Sequence, residues 1–300
     1  MNAPPLLDPL FRDAVSAIDA GDVPRLERLL AAHPELVRER LDDPAPWLRD
    51  QVGNALDGFF QRPYLLWFVA EDPVRNGRLP ANIAAVAGAI IRAAQRDAVA
   101  SLQEQLDSTL RLVAWSWIAR ECGVQIALID VLLDAGATPG ETNNALVNRN
   151  VAAAEHLLAR GAPPTLATAL CLGRWEDVTR LARTAHPGQK SFGFVLAALN
   201  GRADALRRML ELGVDVNAPS AELYSHGTPL HHAVCSGSLE SVRVLVEAGA
   251  GLDTRDSAWN GTPLGWAEYY LAGNEGPRVG KQDADIVAYL RASEAVTRPG

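Results

Sequence analysis

Aromatic residues are scarce in this chain: they make up 6% of 300 residues, although hydrophobic residues together reach 48%. A core with so few rings is filled mainly by alanine and leucine. These two have the best helix propensities, so the composition favours helices packed closely through small side chains. Lysine is almost missing. Lys190 and Lys281 are the only two, and every other basic residue is arginine, a bias associated with GC-rich, bacterial coding. Positive charge is also in deficit, with a net charge of −8, a pI near 5.3 and no basic run. Binding to a phosphate backbone depends on Lys and Arg neutralising phosphates and releasing counterions, so no nucleic-acid partner is expected.

Cysteine is sparse as well. Cys122, Cys171 and Cys235 are odd in number and far apart, and no CxxC pair occurs, which signals neither a disulfide framework nor a cysteine zinc site. Buried thiols in a reducing cytoplasm are the simpler expectation. Apolar runs such as 81–91 fall well short of the about 20 residues a spanning helix needs, so no membrane partner is expected. The opening Met1-Asn2-Ala3-Pro4-Pro5 has no basic region of the kind that starts a secretory signal. Charged residues at 21% suit a folded chain rather than a disordered one.

What the sequence has is repetition, the first thing to look for because a missed repeat misassigns the whole fold. Gly227-Thr228-Pro229-Leu230-His231-His232-Ala233 and Gly261-Thr262-Pro263-Leu264-Gly265-Trp266-Ala267 share G-T-P-L and reach alanine in step, 34 residues apart. The first copy continues through Gly237-Ser238, an apolar run 242–246, and Glu247-Ala248-Gly249-Ala250. Thr228 suits a helix N-cap, and Pro229 suits the first turn, where a missing N–H costs nothing. Gly237 permits a tight turn into a second helix, and Gly249 can end that helix in the left-handed conformation.

This pattern resembles the ankyrin repeat, with its T-P-L-H-x-A start, its glycine between two helices and its L-L-x-x-G-A ending. The resemblance implies an all-α solenoid of stacked helix pairs with short finger turns. It also implies that His231 ties neighbouring loops together by hydrogen bonds. Weaker copies follow the same plan. Residues 192–218 end in Gly213-Val214-Asp215-Val216-Asn217-Ala218, while Leu132-Leu133-Asp134-Ala135-Gly136-Ala137 and Leu157-Leu158-Ala159-Arg160-Gly161-Ala162 repeat the ending after only 25 residues. So short a period leaves no room for a long finger, which predicts bare helix pairs over about 138–190.

The expected organisation is a single array over 1–300. It comprises an N-terminal repeat at 8–37, irregular divergent repeats with a long loop at 40–122, short-period repeats at 124–200 and well-formed repeats at 201–272. An insertion and a capping helix fill 273–300. Within the irregular tract, 64–70 and 82–94 read as a helix pair around a polar loop at 71–80, and 102–119 reads as one long helix. A lone helix pair cannot bury its apolar face, whereas a stack can.

Chemistry has few footholds. Gly276-Pro277-Arg278-Val279-Gly280-Lys281 has three residues between its glycines, and Gln282 follows the lysine. A phosphate-binding loop needs four and then Ser or Thr, so a plain insertion is the better reading. His226, His231, His232 and Cys235 are the densest group of possible metal ligands. His231 is spoken for by the repeat, and His232 would point about 100° away along the helix. His232 is read as a surface histidine, and neither metal nor cofactor is expected. No nucleophile elbow is present, and carboxylates such as Asp42-Asp43, Asp253 and Asp256 are scattered at repeat junctions, so no catalytic residue is nominated.

In ankyrin proteins partners meet the finger tips and first helices that line the concave face. The resemblance maps such positions onto Tyr224, Ser225, Cys235, Ser236, Trp259, Asn260, Tyr269 and Tyr270, with Leu199 and Asn200 in the preceding unit. Tyrosine and tryptophan are favoured contacts because each joins large apolar area to a polar tip. The alternative is that these rings pack a C-terminal cap, and Trp115 and Trp117 read as stacking residues. The leading expectation is a non-catalytic module that binds a protein partner through its concave face. Two others stand beside it: a scaffold that has acquired a small-molecule pocket or catalytic site, and a self-associating protein.

Overall fold

The computed structural model describes residues 7–42, 44–273 and 282–297. Among them every regular element is helical and no strand occurs. The chain divides into two compact units, 1–163 and 164–300.

In the first unit the helices are α1 (Leu7–Ala20), α2 (Val23–Ala32), α3 (Glu35–Arg38), α4 (Pro46–Val52), α5 (Ile83–Arg96), α6 (Leu102–Trp115), α7 (Trp117–Glu121), α8 (Gln125–Asp134), α9 (Thr142–Val147) and α10 (Val151–Ala159). Two layers result. One runs from α1 through a 3-10 helix (Leu65–Ala70) and α6 to α9, and the other through α2, α5, α8 and α10. Each helix thus packs on its own pair-mate and on the equivalent helix of the neighbouring pair, as in a stacked repeat.

The irregular tract differs from expectation in two places. Within 64–70, Leu65–Ala70 form a 3-10 helix, buried throughout; with apolar side chains all round, it lacks the one-sided stripe that favours a surface α-helix. The expected long helix over 102–119 is broken at Ser116, whose ψ of 114 leaves the helical region and whose Oγ accepts from Ala119 N at 3.1 Å. A serine side chain that caps a new helix competes with continuing the old one. Trp117, expected to stack, is instead 40% exposed.

The loop after the 3-10 helix is polar yet held from inside. Glu71 Oε1 accepts the main-chain N–H groups of Arg75, Asn76 and Gly77. The Arg75 guanidinium lies 3.0 Å from Glu71 Oε2 and donates to both oxygens of Asp19 at 2.8 and 3.1 Å. The Glu71 and Arg75 side chains are both almost fully buried.

The second unit contains α11 (Leu166–Leu172), α12 (Trp175–Ala182), α13 (Pro187–Leu199), α14 (Ala203–Glu211), α15 (Pro229–Ser236), α16 (Leu239–Glu247), α17 (Pro263–Leu271) and α18 (Asp283–Thr297). Helices α11, α13, α15 and α17 pack in series, as do α14, α16 and α18. Their shared core runs from Leu170 and Phe194 through Leu206, Leu230 and Leu245 to Ile286 and Leu290. Short α11 and α12 form one pair through Gly173, and only residues 183–186 separate that pair from α13, so no finger stands between them. The fingers appear only where the period lengthens, at 213–228 and 249–262.

Candidate functional site

The two fingers of the second unit are built around one histidine and one aspartate. Thr228 caps α15, its main-chain N–H donating to His231 Nδ1 at 3.2 Å. With Nδ1 accepting, Nε2 carries the proton and donates to the Gly261 carbonyl at 3.2 Å. His231 therefore ties its own helix start to the next finger, as the repeat pattern implies. Gly237 ends α15 at φ 74, a conformation that glycine adopts without cost. A further bridge joins the fingers where Ser257 N donates to the His226 carbonyl at 2.9 Å.

Asp256 closes the second finger on itself. Its Oδ1 accepts from Ala258 N (2.9 Å) and Trp259 N (2.6 Å), and its Oδ2 accepts from Gly261 N (2.7 Å) and the indole Nε1 of Trp266 (3.0 Å). Burial alone would raise this carboxyl, but the four donors outweigh it and hold the group down at about 2. Gly261 favours this closure, because a Cβ there would press on Asp256 Oδ2 and Trp266 Cδ1 at 3.0 Å and both side chains would have to give by a few tenths of an ångström.

On this frame sits a connected group of rings. His226 stands edge-to-face with Trp259 at 5.0 Å between centroids and with Tyr224 at 6.0 Å. Trp266 contacts Trp259 at 5.7 Å, His231 at 5.1 Å and His226 at 5.9 Å. His232 lies 6.0 Å from Tyr224, and its Nε2 donates to the Tyr224 carbonyl at 3.3 Å. One turn further along the same helices, the Tyr270 hydroxyl lies 3.1 Å from Cys235 Sγ, and Tyr269 and Tyr270 meet edge-to-face at 5.6 Å. Helix periodicity aligns His231 with Cys235 and Trp266 with Tyr270, four residues apart on each helix.

The nominated positions separate by depth. Trp259 is 70% exposed, Tyr269 59% and Tyr224 40%, and Ser225 and Asn260 are exposed beside them. Cys235 and Tyr270 are half-buried, and Tyr270 packs against the core. Leu199, Asn200 and Ser236 are buried. Asn200 turns its amide back to the Leu196 carbonyl at 2.9 Å, and the Ser236 hydroxyl donates to the Ala233 carbonyl at 2.6 Å, so these three offer no surface to a partner. His232 is likewise not a surface residue: it is buried, and burial with its two histidine neighbours pushes the ring down to about 3. Among the described residues no group of three or more His, Cys, Asp or Glu side chains is placed to hold a metal ion.

Sequence reasoning passed over Trp266 and Asp256. Trp266 was recoverable, because it stands 34 residues after His232, at the same motif position. Asp256 was read only as a solvated or capping carboxylate at a repeat junction, and its four donors are seen only in the folded finger. The insertion 273–282, with Gly276–Lys281, lies almost wholly outside the described residues.

A second candidate is a groove of about 720 Å³ in the first unit, beside Asp8, Arg12, Ser16, Pro46 and Trp47. Asp8 Oδ1 is taken by Ala45 N at 2.9 Å and Trp47 Nε1 at 3.0 Å. Asp72, pushed up to about 7 by burial, does not line it. The groove thus lacks the pairing of a pocket with a perturbed group that would favour chemistry.

The family model described as ankyrin repeats (3 copies) matches residues 143–256 and 194–275. Human cyclin-dependent kinase inhibitor 2A is 32% identical over 132 residues, covering 34% of this chain and 77% of that protein. The potassium channel GORK of Arabidopsis thaliana is 40% identical over 75 residues, and palmitoyltransferase Hip14 of Drosophila melanogaster is 35% identical over 81. These matches span 8% of the channel and 12% of the transferase, and 25% and 27% of this chain. The solved ankyrin repeat domain of human ASB11 aligns over 97% of this chain and 99% of its own at 16% identity, with a TM-score of 0.40.

Proposed function

We propose, for a chain that belongs to the ankyrin-repeat family, that its second unit recognises a protein partner through the face formed by its last two fingers and first helices, without catalysis. Ankyrin repeats are generally protein-interaction modules. The observation that carries the proposal here is the band of rings: Trp259, Tyr269 and Tyr224 are all exposed in a chain with 6% aromatics. Ser225 and Asn260 supply polar atoms beside them, and Cys235 and Tyr270 form the floor. Exposed Tyr and Trp held on a rigid frame are typical of binding hot spots. The fragmentary matches to a channel and a transferase bring neither activity to this chain. The thiols suit a cytoplasmic setting: Cys122, Cys171 and Cys235 are not in disulfides, and burial pushes Cys171 up to about 12.

The test is co-purification of partners on the intact chain, compared with Trp259→Ala and with Tyr269→Ala, both at exposed rings. Loss of a hot-spot ring costs binding about 2 kcal/mol or more, whereas exposed positions change stability within about 0.5 kcal/mol. For Trp259→Ala we expect partners to be lost with the melting temperature unchanged. A large fall in melting temperature, with affinity intact in the folded fraction, would assign the rings to the cap and sink the proposal.

A further inference from the structure

We infer that the exposed ring cluster of Tyr224, His226 and Trp259 takes the guanidinium of an arginine side chain from the partner segment. The inference rests on the recognition surface proposed above and adds the chemistry of what it recognises. Its first support is the rings themselves. Aromatic faces carry negative quadrupole charge and attract a cation held over them within about 6 Å. Trp259 meets His226 and Trp266 at interplanar angles of 86° and 64° and is still 70% exposed, which leaves indole face open to a planar group. Arginine stacks on such faces as well as being attracted to them, which lysine does less well.

The second support is charge. The two fingers, 213–228 and 249–262, carry Asp215, Glu222, Asp253 and Asp256 against the single cation Arg255. Arg255 is turned to its own finger, its Nη1 donating to the Asn260 carbonyl at 2.7 Å. Asp256 is buried under Trp259 and Trp266, and each of the four donors described at its oxygens is a neutral N–H. Neutral donors spread a carboxylate's charge without cancelling it, so the field above the rings stays negative. Glu222, two residues before Tyr224, is exposed and adds to it. A neutral or acidic segment would meet the same rings without gaining from that field.

The experiment uses the intact chain and two capped tripeptides, Gly-Arg-Gly and its citrulline analogue, which keeps the shape and loses the charge. The readout is the NMR shift of the Trp259 indole N–H and of the His226 ring during titration. We expect saturable shifts with the arginine peptide and affinity about two- to thirtyfold weaker with citrulline, the range of a cation–aromatic contact. Trp259→Leu should abolish the His226 shift, Glu222→Gln should weaken arginine binding, and Arg255→Gln should strengthen it. Equal binding of the two peptides would overturn the preference for arginine while leaving the recognition surface standing. Absence of a saturable shift with the arginine peptide would overturn the inference outright. So would a Trp259 signal that moves on dilution of the protein alone, which would mark the rings as a contact between copies. Partner loss in Trp259→Ala with equal peptide binding would sustain the reading of a protein-binding face and remove only its cation chemistry.

Discussion

His232 fills the base of the first finger as a neutral ring, held down to about 3 mainly by burial. The unfolded chain binds that proton near its ordinary value of 6.5. Its contribution to stability is therefore complete above pH 6.5 and is lost as pH falls from there toward 3. We expect stability to decline by about 1 kcal/mol per pH unit between pH 6 and 4 on account of this ring. His232→Gln, which can still donate to the Tyr224 carbonyl, should flatten that slope in urea titrations at several pH values. An unchanged slope would show that the ring is solvated in solution. Asp256 works in a lower window: its carboxyl is depressed to about 2, so its contribution is present above about pH 4 and disappears as pH drops through 2. Neither role was legible in the sequence. A second histidine beside the motif histidine reads as a surface residue, and only the three-dimensional closure of the fingers buries it.

The same device fixes two irregular segments. Glu71 gathers the N–H groups of Arg75, Asn76 and Gly77, and Asp256 gathers those of Ala258, Trp259 and Gly261. A buried carboxylate satisfied in this way pins a loop that has no regular hydrogen bonding of its own. The helices, by contrast, were largely legible: glycine turns, apolar spacing and, at α15 and α17, Thr-Pro starts mark the helix pairs of the last repeats. The sequence reading failed at Ser116, where a capping hydroxyl breaks the expected helix, and at 65–70, which is a 3-10 helix. The loop at 71–80 lies where expected, but the carboxylate that holds it was not foreseen. Removing Glu71 takes from buried Arg75 one of its two carboxylate partners, leaving Asp19. Breaking such a pair costs about 3–5 kcal/mol, so Glu71→Ala should lower the stability of the first unit by that order, measured by chemical denaturation. A change under about 0.5 kcal/mol, as at an ordinary surface site, would mean that the loop is held by Asp19 and Arg75 alone.

At the scale of the whole molecule, pairing of like helices with like is what the repeat period implied, and both units show it. A repeat array distributes stability as a sum of local and nearest-neighbour terms. In the second unit α18 packs on α17 and α16, and its Ile286 and Leu290 are fully buried against the last repeats. Phe194, also fully buried, sits on α13, which packs on α11, α14 and α15. The two positions should therefore fail differently. Leu290→Ala creates a cavity costing about 2–5 kcal/mol, but it falls on the terminal pair. It should speed hydrogen exchange in α17, α18 and the second finger while α13 and α14 keep their protection. Phe194→Ala, costing about 3–5 kcal/mol, should raise exchange in α11, α13 and α15 together, because each uses that ring's layer. Since the ring cluster depends on the second finger, Leu290→Ala should also weaken partner binding without touching the partner. Equal rises in exchange across 164–297 from both substitutions would show that the unit opens all or none, and the nearest-neighbour account of its stability would then fail.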